Sequence, residues 1–127
     1  MNRTEYVAIS SHLTTERDRL LMLIAAIQQS GRIAPAHCWL TESPQTKGNR
    51  TYIYIRLVCE PPGQKLTSKS LGKPSSKKHQ DWHTAIARRE AIAELEQQLK
   101  LLEALIDRQA VGAERIAVAV SLANQQD

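Results

Sequence analysis

The stretch LTSKSLGKPSSKKHQDWHTAIARRE, Leu66 to Glu90, sets Lys69, Lys73, Lys77, Lys78, Arg88 and Arg89 against only Asp81 and Glu90. Upstream, Lys47, Arg50, Arg56 and Lys65 extend the basic run. From Lys47 to Arg89 there are ten Lys/Arg and two acids, a net of +8; the remaining residues hold seven Lys/Arg and eleven acids, a net of −4. Cations at that density neutralise phosphates and release counterions, which yields affinity with little sequence information. The expected partner is therefore nucleic acid, DNA favoured over RNA. Tyr52 and Tyr54 beside Arg56 add rings that stack on bases, and a two-stranded ribbon fits the major groove. Lysines blunting the edges of a sheet are the plainer reading of the same charges.

Other chemistry is thinly represented. His79 and His83 lie one helical turn apart with Asp81 between them, and with Cys38 and Cys59 they sketch a zinc set. The cysteines have no C-x2-C spacing, so no metal is expected. There is no Gly-rich phosphate loop, no recognisable nucleophile motif and no pair of carboxylates in the sheet region. Catalytic residues and cofactors are accordingly not expected. Two cysteines are too few for a disulfide scaffold, which points to a reducing, cytoplasmic setting. A hairpin pairing Ser43 with Arg50 would leave Cys38 opposite Ile55, away from Cys59. The run LLMLIAAI is too short to cross a bilayer.

These residues need elements to position them. The 127 residues suit one α+β domain with a mostly aliphatic core, since Phe is absent and only Trp39, Trp82, Tyr6, Tyr52 and Tyr54 are aromatic. The first ten residues carry no clear period. Leu13, Leu20, Leu23, Ile24 and Ile27 predict an N-terminal helix over 14–29, capped by Thr14 or Thr15 and stopped at Gly31. Residues 37–72 read as a basic three-stranded antiparallel meander. HCWLTES is the first strand, SPQTKGN a loop, RTYIYIRLVC the second strand, EPPGQ a turn and KLTSKSLG the third. In the second strand Thr51, Ile53, Ile55 and Leu57 point one way, and Tyr52, Tyr54, Arg56 and Val58 the other.

Ser75 or Ser76 caps a long helix over 76–111, with Trp82 anchoring it to the sheet. Ile92, Leu95, Leu99, Leu102 and Ile106 form a short coiled-coil seam suited to a homodimer, and Ile86, Leu101 and Leu105 widen it. Gly112 is expected to break the helix, leaving 112–127 as a short helix or tail.

The order CWL, YIYIRL, KSLGK, W and ARRE before a leucine-rich helix resembles a group of small bacterial proteins found around plasmids and other mobile elements, over roughly Cys38 to Arg108. The hairpin segment also looks like the three-stranded DNA-reading modules at the N-termini of phage-type integrases. That resemblance implies Tyr54, Arg56, Lys69 and Lys73 as backbone or base contacts; it does not imply a recombination activity. The expected function is a non-catalytic regulator or accessory factor that binds nucleic acid. The alternative is an interaction module gripping an acidic protein partner through its basic sheet and its helix.

Overall fold

The computed structural model describes the backbone of residues 3–125 and the side chains of residues 11–125. Its elements run α1 (Arg3–Ser30), β1 (Cys38–Lys47), β2 (Arg50–Cys59), β3 (Thr67–Gly72) and α2 (Lys77–Asn124). This is the α+β order expected from the sequence: a helix, a three-stranded antiparallel sheet in the order β1-β2-β3, and a long C-terminal helix. The chain divides into two compact units, Met1–Ala26 with Ala93–Asp127, and Ile27–Ile92. Among the described residues no helix is long and apolar enough to cross a membrane.

The first unit consists of segments of α1 and α2 alone. On α1, Leu20 and Ile24 are buried and Leu13 and Arg17 half-buried, at alternating spacings of three and four. On α2, the predicted seam residues Leu95, Leu99, Leu102 and Ile106 are half-buried within one chain. An exposed pair, Glu16 and Arg19, is hydrogen-bonded one turn apart on α1. That bond lowers the Glu16 pKa and raises that of Arg19.

Both helices are longer than the sequence suggests. α1 begins well before residue 14, and the Thr14 hydroxyl caps nothing. It donates instead to the Ser11 carbonyl inside the helix. α2 passes through Gly112, which does not take the positive φ that would end a helix. A mid-helix glycine costs only about 1 kcal/mol relative to alanine, and the flanking Val, Ala and Leu residues continue the helix past it.

In the second unit the first hairpin is tighter than expected. β1 extends through Pro44 to Lys47, and Gly48 and Asn49 alone make the turn, with Gly48 at φ 63° as in a II′ hairpin. Glu60 N–H donates to the His37 carbonyl at 3.0 Å, which makes the odd-numbered β1 residues the hydrogen-bonded ones. Pro44 therefore directs its nitrogen to the open edge, where a proline is tolerated. The register pairs Lys47 with Arg50 and brings Cys38 opposite Cys59 in a non-hydrogen-bonded pair. Their Cα atoms are 4.2 Å apart and the two form a disulfide. The expected Ser43–Arg50 pairing and the separation of the cysteines are both corrected: proximity was decided by register, not by the number of cysteines.

The second turn is as expected, with Gln64 N–H donating to Pro61 O and Gly63 at φ 71°. In β3 the pairing slips between Ile55 and Arg56, leaving Leu71 as a bulge whose side chain is buried. Cys38, Ile55, Leu57 and Leu71 form the core of this unit, with Leu40, Cys59 and Trp82 packed against it. Ser76 caps α2: its hydroxyl accepts from His79 N–H and donates to the Leu71 carbonyl, tying helix to strand.

Closing the hairpin with Cys38–Cys59 should add about 2–3 kcal/mol of stability. Dithiothreitol should lower the unfolding free energy of the wild type by that amount, read as a lower urea midpoint, and leave Cys59→Ser unchanged. Equal midpoints with and without reductant would show the bridge contributes nothing.

Candidate nucleic-acid interface

Alternation in β1 and β2 divides the sheet into two faces. Cys38, Leu40, Ile55, Leu57 and Cys59 line the face packed with Trp82. The other face carries Trp39, Thr41, Ser43 and Gln45 of β1 opposite Val58, Arg56, Tyr54 and Tyr52 of β2, with Lys47 and Arg50 paired beside the turn. Trp39 is 41% exposed. Lys47 Nζ lies 5.9 Å from the Tyr54 ring centroid. Arg56 Nε donates to the Ser68 hydroxyl at 2.7 Å, which holds its guanidinium flat along the sheet toward β3. Between the hairpin turn and the Trp39–Val58 pair, this face bears three aromatic rings, three cations and no carboxylate.

The remaining expected contacts are dispersed. Lys65 and Lys73 are exposed in the turns flanking β3. Lys69 pairs with Leu57 and so belongs to the opposite face, its Nζ 5.9 Å from the Trp82 ring. Lys77 forms an exposed ion pair with Asp81 at 3.4 Å. Lys78 lines a hollow with Arg32, Lys69 and Trp82. The sequence groups these lysines with the tyrosines; strand parity and the bulge at Leu71 place them on different surfaces.

Arg88 and Arg89, expected among the phosphate contacts, are otherwise engaged. Arg88 donates from Nε to the Ser30 hydroxyl at 3.0 Å, from Nη1 to the Arg32 carbonyl at 3.1 Å and from Nη2 to the Ser30 carbonyl at 3.4 Å. Gly31 leaves room for it, since a Cβ there would lie 2.8 Å from the guanidinium. Arg89 donates to the carbonyls of Pro35 and Cys38 and to the Glu90 carboxylate. Its side chain is only 18% exposed. These arginines satisfy carbonyls at the end of α1 and in the linker after it.

The histidine–cysteine set does not assemble. The cysteines bond each other, and His79 Nδ1 accepts from Ser75 N–H at 2.9 Å. This bond helps hold Ser75 at φ 66° in the turn before α2. Trp82 packs on the sheet core as the sequence suggests. Two residues were missed. Trp39 could have been found from parity, since it alternates with Thr41 and Ser43; Arg32 stands alone in a linker and carried no sequence signal.

Comparison with protein-family models, with curated proteins and with solved structures returned no match to this chain.

Arg89→Ala should destabilise the protein by about 1.5–3 kcal/mol, as expected when charged hydrogen bonds to backbone carbonyls are lost. Lys73→Ala should change stability by less than about 0.5 kcal/mol. Urea unfolding followed by circular dichroism measures both. An Arg89→Ala variant as stable as wild type would remove the arginine from its structural role.

Proposed function

We propose that this protein is a non-catalytic nucleic-acid-binding protein, with DNA favoured, that engages its ligand through the open face of its sheet. The reading rests above all on one observation: Trp39, Tyr52 and Tyr54 share that face with Lys47, Arg50 and Arg56, and no carboxylate interrupts them. Aromatic rings give stacking surfaces that accept any base, and the interleaved cations follow the phosphates. Lys65 and Lys73 extend the positive field to the turns around β3. Acidic residues are concentrated in other segments, chiefly along α2 and α1.

The setting that the sequence resemblance implies, a regulator or accessory factor of a plasmid or other mobile element, belongs to this proposal. So does a cytoplasmic location. There the Cys38–Cys59 pair would meet a reducing pool, its two sulfurs kept adjacent by the strand register.

A second reading, engagement of a protein partner or a second copy, is favoured by a different observation. Leu101, Leu105, Val111, Ile116, Val118 and Leu122 of α2 are exposed. Since the Leu95–Ile106 stripe is already half-buried within one chain, the homodimer proposal transfers to Leu101 and Leu105, the exposed residues. The two readings are compatible, because they use different units of the chain.

Binding to duplex DNA should weaken with salt, with a log–log slope of magnitude about 4–5 for about five phosphate contacts. Lys47→Gln with Arg50→Gln, both exposed beside the hairpin turn, should lower that magnitude by about 2 and leave the unfolding midpoint unchanged. An unaltered slope would exclude the sheet face. Light scattering should show a dimer that Leu101→Asp with Leu105→Asp converts to a folded monomer. A wild type that stays monomeric at high micromolar concentration would refute the dimer without touching the nucleic-acid reading.

A further inference from the structure

A second surface of the same unit carries chemistry that the sheet face does not use. The Arg32 guanidinium lies 4.3 Å from the Trp82 ring centroid, and Lys69 Nζ lies 5.9 Å from the same ring. Three adjoining hollows of about 310, 330 and 260 Å³ share Arg32 and Trp82 in their walls. Lys69, Ser70 and Lys78 complete the hollow nearest β3.

Three features separate this recess from ordinary covering of an indole by an arginine. First, the Arg32 guanidinium is exposed and has no hydrogen-bond acceptor among the described residues, whereas Arg88 and Arg89 beside it are fully engaged. Second, its base is fixed. Arg88 holds the Arg32 carbonyl, and Ala34 N–H donates to the Ala85 carbonyl at 3.1 Å, so the linker is pinned on both sides of residue 33. Third, the one acid lining the recess, Asp81, has its carboxylate paired with Lys77, leaving Arg32, Lys69 and Lys78 as an excess of positive charge. A guanidinium laid on an indole, with its outer plane and N–H edge free, is pre-organised for a planar ring and an anionic oxygen together.

We infer that this recess receives one unpaired nucleotide of a single-stranded nucleic acid. The base stacks on the outer plane of Arg32, which is itself stacked on Trp82. The phosphate is held by Lys69 and Lys78. A paired base in a duplex could not present its face in this way, so the recess selects single strands. The inference rests on the nucleic-acid reading, and adds to the sheet face a separate contact on the other side of the sheet.

The test uses the full chain and fluorescence anisotropy, with a labelled oligothymidylate strand and a labelled duplex of the same length. Arg32→Ala and Arg32→Lys should each weaken single-strand binding by about tenfold, the lysine failing to rescue because it lacks the planar surface. Duplex binding should be unchanged, as should the urea midpoint, since Arg32 is an exposed linker residue. If Arg32→Lys binds the strand like wild type, the contact is charge alone and the stacking inference is overturned. If both variants bind like wild type while Lys47→Gln with Arg50→Gln is weakened, the recess is no binding site and the sheet-face reading stands. If wild type binds neither strand nor duplex, the nucleic-acid reading fails, and this inference with it.

Discussion

Two consecutive arginines near the start of α2 govern how the sheet-bearing unit is put together. The end of a helix leaves carbonyls without partners, and the chain leaving α1 must cross to β1 with its own polar groups exposed. Arg88 takes carbonyls at Ser30 and Arg32, and Arg89 takes those of Pro35 and Cys38. Planar guanidinium groups reach several acceptors at once, which a lysine cannot do. The linker is thereby fixed to α2, β1 starts at a defined point, and Cys38 arrives opposite Cys59. Gly31 is part of the same arrangement, because any side chain there would collide with Arg88.

From that starting point the sheet follows by simple constraints. A two-residue turn at Gly48–Asn49 sets the register, and alternation then sends aliphatic residues to one face and Tyr, Arg and Trp to the other. Trp82 packs against the core of Cys38, Ile55, Leu57 and Leu71 on the aliphatic face, while Ser76 joins the start of α2 to β3. On the polar face Trp39 is exposed and Tyr52 and Tyr54 are half-buried. The Leu71 bulge lets β3 bury that leucine and yet keep Ser68 within reach of Arg56.

The positive charge that dominates the sequence therefore has three separate fates. Arg88 and Arg89 are structural. Lys47, Arg50 and Arg56 lie with the aromatic rings of the open face. Lys69 and Lys78 lie with Arg32 at Trp82, on the opposite side of the sheet. Counting charges along the chain cannot distinguish these, because what a cation does depends on which acceptors it can reach. The helical unit shows a parallel distinction for apolar residues: the stripe with the most regular heptad spacing is half-buried within one chain, while less regular leucines remain exposed.

The sequence by itself determined the element order, the whole of β2, the parity of its side chains, the Pro62–Gly63 turn and the anchoring role of Trp82. Each is a local property, fixed by alternation, by proline and glycine dihedrals or by a single large ring in an otherwise aliphatic surrounding. Tertiary structure alone decided the extent of β1, the Cys38–Cys59 bridge, the continuation of α2 through Gly112 and the engagement of Arg88 and Arg89. Pro44 reads as a breaker until the strand is known to be an edge, and Gly112 until its φ is known to be helical. Arg32 gave no sign at all, because its meaning comes from an indole fifty residues away along the chain. Contacts of that kind are set by how the chain returns on itself, and no periodicity encodes them.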